Sequence, residues 1–245
     1  MLGSRRRFTE NRRAAAGRGW RLRPAAAPTL TRWNPIMGTK HKTIAAADLQ
    51  TGLTWPERIE HYRKVLGRDA YMHFEGGWAF GVWFLGNTWH VASGYYGGYP
   101  AGYLKRVRAL FPDKSHPLHL FSGMVDVEAF PGDTCDINAD LHPTYVADAH
   151  TLIGVPVEEY DLVLADPSYS AEDADHYGTP LVDRNKVVRV LAERMAPGSH
   201  LVWLDQAQPM YAKKLLKPEA AIGIVRSTMH RYRCVLIWRK LAPEG

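Results

Sequence analysis

The sequence predicts an α/β fold in which a mostly parallel sheet with helices on its faces occupies residues 103–241, preceded by a helix and an aromatic hairpin. Three observations predict it. From residue 103 onward, short apolar runs are separated by connections of crossover length, as parallel pairing requires. A helix-period segment with start and stop signals lies between two of those runs, over 183–195, closed by Pro197-Gly198. The last two runs, 220–226 and 231–241, are close enough to form an antiparallel pair, so the final strand is expected to run against the rest.

The first ordered element is a helix at 55–66. Thr54 and Glu57 make a capping box, Pro56 sits in the first turn and Gly67 stands just past the end. Ile59, Tyr62 and Leu66 give it one apolar face. Residues 71–103 hold eleven aromatics and eight glycines. Gly86-Asn87 between two apolar runs is a two-residue turn signal, placing strands at 78–85 and 88–93. The aromatics can form a platform for stacking bases, or can pack the hairpin onto the core. Next come a basic amphipathic helix at 104–111 and strands at 118–122, 134–137, 144–147 and 160–165. The helix at 183–195 follows, then a strand at 200–204, a helix near 208–216 and the closing pair. Seven strands are expected within 103–241. Domain boundaries fall at 1–36 (basic tail), 37–102 (helix and aromatic hairpin, a candidate substrate-recognition part) and 103–245 (the sheet domain).

Composition excludes several classes. The 245 residues are 46% hydrophobic and 23% charged, enough apolar material for a real core. No apolar run reaches the eighteen residues of a membrane span. Cys135 and Cys234 cannot build a disulfide framework or a four-thiolate zinc site. His116 and His119 lack the further ligands a metal needs. A reducing compartment, the cytoplasm, is the expectation. The net charge of +6 is uneven: residues 1–36 carry nine arginines and one acid, so the remainder is slightly acidic. That arm reads as a disordered leader, as a phosphate-contacting arm, as a transit-like segment, or as an artefact upstream of a start at Met37.

In open parallel sheets, ligands bind at the carboxyl ends of strands, where the strand order reverses. Here those ends carry Phe121-Ser122-Gly123, then Asp136, then Asp148-Ala149, then Asp166-Pro167-Ser168-Tyr169. A small residue lets backbone approach a ligand, and a carboxylate after the second strand can accept from ribose hydroxyls. No nucleophile elbow and no phosphate-binding lysine loop is present.

These segments, in this order, resemble the S-adenosylmethionine-dependent amino-methyltransferases that modify adenine N6 or cytosine N4 in DNA. Asp166-Pro167-Ser168-Tyr169 resembles their catalytic Asp-Pro-Pro-Tyr, and Phe121-Ser122-Gly123 their cofactor loop. Asp136 and Asp148 stand where the next two cofactor acids are found, with Ala149 beside the second. Tyr96-Gly97-Gly98-Tyr99-Pro100 is similar to the Gly-rich segment preceding the cofactor loop in the Dam-like subgroup. The resemblance, over about 94–241, implies a class I, Rossmann-like methyltransferase fold. It further implies S-adenosyl-L-methionine as cofactor and nucleic acid as partner, DNA before RNA, with adenine N6 favoured. Cofactor contacts would come from Tyr96, Gly97, Gly98, Phe121, Ser122, Gly123, Asp136, Asp148, Ala149 and Asp166. Asp166 and the Pro167 carbonyl would accept the two amino N–H bonds, and Tyr169 would stack on an extruded base.

Departures from the pattern are Ser168 in place of the second proline, Met124-Val125 after Gly123, and only thirteen residues from Gly123 to Asp136. The chain also lacks a long insertion of target-recognition size. The alternatives are an RNA base methyltransferase of the same fold and a non-catalytic nucleic-acid-binding module. A solitary small enzyme of this kind would suit a phage or mobile element. The oligomeric state is not legible.

The arm generates a first prediction. A chain starting at Met37 should melt at the same temperature as the full chain. If the arm contacts phosphates, its removal should flatten the salt dependence of nucleic-acid binding. A lower melting temperature would show that the arm is packed.

Overall fold

The computed structural model describes residues 52–67, 70–86, 98–170, 172, 174–175, 178–226 and 232–243. The basic arm, the expected strand at 88–93, Tyr96 and Gly97 lie outside these residues. The described residues all belong to one compact unit, 40–245. Among them no helix is long and apolar enough to cross a membrane.

Helix α1 (Trp55–Leu66) begins as expected: the Thr54 backbone N–H and hydroxyl both donate to Glu57 Oε2, at 2.7 Å each. It buries Trp55, Arg58, Ile59 and Tyr62. Strands β1 (Met72–Glu75) and β2 (Trp78–Leu85) form an antiparallel hairpin closed at Glu75 and Trp78. Its turn is Gly76-Gly77, with φ of 58° and 82°. Positive φ at both central residues is what a primed two-residue turn demands, and glycine adopts it without steric cost. β2 ends at Leu85 as expected, the turn expected at Gly86-Asn87 leads into residues outside those described, and the hairpin turn that is described lies ten residues earlier.

Helix α2 (Tyr103–Leu110) leads into β3 (Pro117–Leu120), β4 (Asp133–Asp136), β5 (Tyr145–Val146) and β6 (Leu162–Ala165). Helix α3 (Arg184–Arg194), β7 (His200–Asp205), β8 (Leu216–Arg226) and β9 (Arg233–Lys240) complete the chain. No helix joins β3 to β4, in keeping with the short spacing. The helix expected at 208–216 is also absent. Asp205 accepts from the Gln206 and Ala207 N–H groups and Asn185 from that of Met210; a single turn closes on the Ala212 carbonyl before Leu215 and Leu216 pair with the end of the chain. Pro209 supplies no donor at all.

All nine strands form one sheet, ordered β1-β2-β8-β9-β7-β6-β3-β4-β5. The seven strands expected within 103–241 are β3 to β9, and the strand expected at 78–85 is β2, which joins them with β1 through parallel pairing with β8. Only β1 and β9 run against the others. Side chains alternate between two cores, one per face. Leu162, Leu164, Val202 and Leu204 join Trp83, Tyr103 and the buried residues of α1 and α2. Val163, Ala165, Leu201 and Trp203 join Trp238 and Val187, Val188 and Leu191 of α3. Trp83 stacks on Tyr62 inside the core, as the packing reading expects, whereas Trp78, Phe80 and Phe84 on the alternate face of β2 are exposed.

The amino ends of the strands carry a buried polar cluster. Glu219 accepts from Trp55 Nε1 (3.0 Å), Arg239 Nε (2.7 Å) and His200 Nε2 (3.3 Å). Burial alone would raise the Glu219 carboxyl, but these donors outweigh it and hold it at about 2. Burial lowers His200 to about 4, so the ring is neutral and donates through Nε2.

Two predictions follow from this packing. Gly81→Ala would push a Cβ to 2.1 Å from the Tyr71 carbonyl oxygen and 2.7 Å from Met72 Sδ, where β1 crosses close to β2. Overpacking of this kind costs about 1–3 kcal/mol, read as a lower melting temperature. The second concerns acid. Between pH 6.5 and 4 the unfolded chain protonates His200 while the folded chain does not, so stability falls with pH through that window. Below 4.5, the unfolded chain protonates Glu219 before the folded one, and stability falls further towards pH 2. His200→Gln, which keeps a donor for Glu219, should flatten the upper arm of the curve of melting temperature against pH and spare the lower one.

Candidate functional site

The strand order reverses between β3 and β6. The chain leaves β3 to build β4 and β5 on one side, then returns to lay β6 along the other. Their register ends with Leu120 opposite Ala165, so Phe121 and Asp166 leave the sheet side by side. The two segments singled out in the sequence thus flank the crevice in which open α/β sheets bind ligands.

The turn after β3 is built by unusual backbone. Phe121 has φ 57° and Gly123 φ 51°. Left-handed geometry is uncommon for an aromatic residue and stores strain, a pattern concentrated at ligand-binding turns. Phe121 is held edge-on against Trp203, with ring centroids 6.4 Å apart. The Ser122 N–H donates to the Cys135 carbonyl (3.2 Å) and the Gly123 N–H to Asp136 Oδ2 (2.9 Å). Asp136 Oδ1 accepts from the Asn138 N–H (3.0 Å). Each carboxylate oxygen therefore has one lone pair committed to orientation and another in reserve. Ser122 is buried, and its Oγ has no hydrogen-bond partner among the described residues.

Asp148 lies beyond β5 and is exposed, next to the buried Ala149. Its Oδ1 accepts from the His150 backbone N–H (2.8 Å) and from Nδ1 (2.7 Å). The His150 backbone N–H, then its side chain, hold the Asp148 carboxyl below the usual range. His150 Nε2 in turn accepts from the Asp183 N–H at the start of α3 (2.9 Å), which fixes the tautomer as Nδ1–H.

In the tetrapeptide, Pro167 is buried and Asp166, Ser168 and Tyr169 are half-buried. The Tyr169 hydroxyl donates to Asp166 Oδ1. Burial raises the phenol well above its ordinary value and Asp166 adds to this, against the opposing pull of Arg233, so Tyr169 remains a neutral donor. One face of its ring is covered by the Arg233 guanidinium, 4.3 Å from the centroid. A base stacking on Tyr169 would therefore use the other face. Ser168 Oγ has no partner among the described residues. Nor do the hydroxyls of Tyr99 and Tyr103, whose rings stack with centroids 4.9 Å apart. Burial raises both phenols, and the Asp166 charge contributes to each shift.

The structure thus brings together Phe121, Ser122, Gly123 and Asp136 by direct bonds, with Asp166–Tyr169 alongside. Asp148 and Ala149 stand farther out along the same edge, linked through His150 to α3. Gly98 is exposed at the start of its described segment, with open space where a Cβ would lie.

Residues not anticipated from the sequence are Arg184, Asp205, Arg233, His150 and Tyr103. Arg184 pairs with the buried Asp205 (Nε to Oδ2, 2.6 Å). Its Nη2 donates to the carbonyls of Ser168 (3.2 Å) and Tyr169 (3.0 Å). A signal was present: a cation at the first helical position opposes the helix dipole and requires a specific anionic or carbonyl partner. Among the described residues no cluster of three or more His, Cys, Asp or Glu is placed to hold a metal.

No protein-family model matches the chain, and no curated protein does. Some solved structures superpose on part of it. TrmN from Thermus thermophilus superposes with TM-score 0.43 and 15% identity, over 59% of this chain and 50% of that one. The N-methyltransferase NodS from Bradyrhizobium japonicum WM9 gives 0.39 and 12%, over 57% and 93%. A TehB-like SAM-dependent methyltransferase from Corynebacterium glutamicum gives 0.39 and 14%, over 61% and 91%. The chain spans half the length of the TrmN structure. The strand order itself settles the architecture. In β5-β4-β3-β6-β7-β9-β8, β9 alone is reversed. This is the class I, Rossmann-like arrangement expected from the sequence.

Proposed function

We propose that this chain transfers a methyl group from S-adenosyl-L-methionine to an exocyclic amino group of a nucleobase, with adenine N6 in DNA as the target. The observation that carries the reading is the emergence of Phe121-Ser122-Gly123 and Asp166-Pro167-Ser168-Tyr169 side by side at the strand-order reversal.

The residues present fit the cofactor. The left-handed turn at Phe121–Gly123 exposes backbone, and Ser122 Oγ is a buried polar atom in need of a partner. Asp136, anchored by two amides, keeps lone pairs for ribose hydroxyls. Asp148, its carboxyl held ionised, can accept from an adenine amino group, with Ala149 as an apolar neighbour. Bound there, the cofactor would supply an electrophilic methyl on a sulfonium sulfur.

The chain's own residues would prepare the nucleophile. An exocyclic amino nitrogen is weak because its lone pair is delocalised into the ring. Accepting its two N–H bonds on the Asp166 carboxylate and the Pro167 carbonyl favours a pyramidal nitrogen and localises that pair. Because Tyr169 already donates to Asp166 Oδ1, the incoming amino group would share or displace that bond. Positioning, rather than acid–base strength, would then supply most of the acceleration.

A labelled-methyl transfer assay on DNA, RNA and protein, followed by nucleoside analysis, tests the reading. Label is expected in N6-methyladenine of DNA; its absence from all three substrates would sink the proposal. Asp166→Ala should lower turnover by about 10² or more while leaving cofactor affinity nearly unchanged, because the bond is used mainly in the transition state. Asp136→Ala should instead weaken cofactor binding measured by calorimetry.

A further inference from the structure

We propose that Arg184 is a positioning residue for the Asp166–Tyr169 segment, supplying through two backbone carbonyls the rigidity that a proline at position 168 would otherwise give. The inference rests on reading that segment as the amino-group-binding one. Three observations support it. Ser168 leaves the third position of the tetrapeptide with a free φ angle and no ring, unlike Pro167 before it. Arg184 Nη2 donates to the carbonyls on both sides of the Tyr169 Cα, those of the 168–169 and 169–170 peptide units, at 3.2 and 3.0 Å. The guanidinium is itself fixed: Nε and Nη2 reach Asp205 Oδ2 and Oδ1 at 2.6 and 3.4 Å.

Asp205 cannot swing away. It is buried at the end of β7 and accepts from Trp203 Nε1 (3.2 Å) and the Gln206 N–H (2.6 Å). A planar fork that binds a carboxylate and two carbonyls at once is within reach of arginine and not of lysine, whose ammonium is a single point. The neighbouring Asp183 N–H is held by His150, the same ring that holds Asp148. The first two residues at the start of α3 therefore tie the Asp148 loop and the tetrapeptide loop to one rigid element.

The test compares Arg184→Lys, Ser168→Pro and the double variant, by hydrogen exchange of the peptide covering 164–172 and by kinetics. Arg184→Lys should exchange about tenfold faster in that peptide and nowhere else, with a melting temperature close to wild type. Its kcat should fall about tenfold or more while KM for S-adenosyl-L-methionine stays within about twofold. Ser168→Pro introduced into Arg184→Lys should slow the exchange again and restore most of kcat, which a purely structural arginine would not allow. Should Arg184→Lys fail to fold, Asp205→Asn, which keeps an acceptor for Trp203, serves in its place. Unchanged exchange in the peptide, or no recovery on adding proline, overturns the proposal. Faster exchange with proline recovery, in a protein that transfers no methyl group, would sustain the positioning role and discard the methyltransferase reading.

Discussion

The pairing of β3 with β6 is the constraint on which the rest of the molecule depends. Both strands are only four residues long, and both are buried on two faces. Leu118 and Leu120 share one core with Val163 and Ala165, while Leu162 and Leu164 point into the other. A slip of one residue would exchange the two sets, moving every side chain of a strand to the wrong face. Burial on both sides thus fixes the register to the residue, and with it which residues leave the sheet together. Phe121 and Asp166 are neighbours because leucine and alanine are.

The two edges of the sheet divide the work. At the amino edge, charges are matched and enclosed: Arg58 with Asp113, and Glu219 with His200, Arg239 and Trp55. Asp161 there accepts the N–H groups of Ser115 and His116, stitching the entries of β3 and β6 together. At the carboxyl edge, buried hydroxyls of Ser122, Ser168, Tyr99 and Tyr103 have no partner among the described residues. Unmatched polar groups cost stability, and a bound ligand could satisfy those beside the crevice; His200 Nδ1 and Trp238 Nε1, nearer the amino edge, also lack a partner among the described residues.

Much of this was legible in the sequence because it is local. The capping box of α1, the order of apolar runs, and the placing of Gly123, Asp136 and Asp166 just past strand ends need only neighbouring residues to be read. What escaped depends on distant partners. The parallel pairing of β2 with β8 joins residues 79 and 220, and no local pattern announces it. Arg184 meets carbonyls fifteen and sixteen positions upstream and an acid twenty-one positions downstream. The helix expected at 208–216 had suitable residues, but only one turn forms there, because Leu215 and Leu216 pair with residues 240–241. The strand expected at 88–93 lies outside the described residues, and the hairpin they do contain turns at Gly76-Gly77, an equally good turn pair.

The Arg184 clamp also changes what the stretch between it and Tyr169 means for the fold. The chain enters that stretch at a carbonyl 3.0 Å from the guanidinium and leaves it at the same side chain. Both ends are held by one guanidinium, which is itself paired with Asp205 of β7. Each doubling of such a closed loop costs only about 0.6 kcal/mol. Val182 within the stretch already belongs to the core beside Val187 and Leu191, so a longer connection that costs little in closure entropy would have to lie before it.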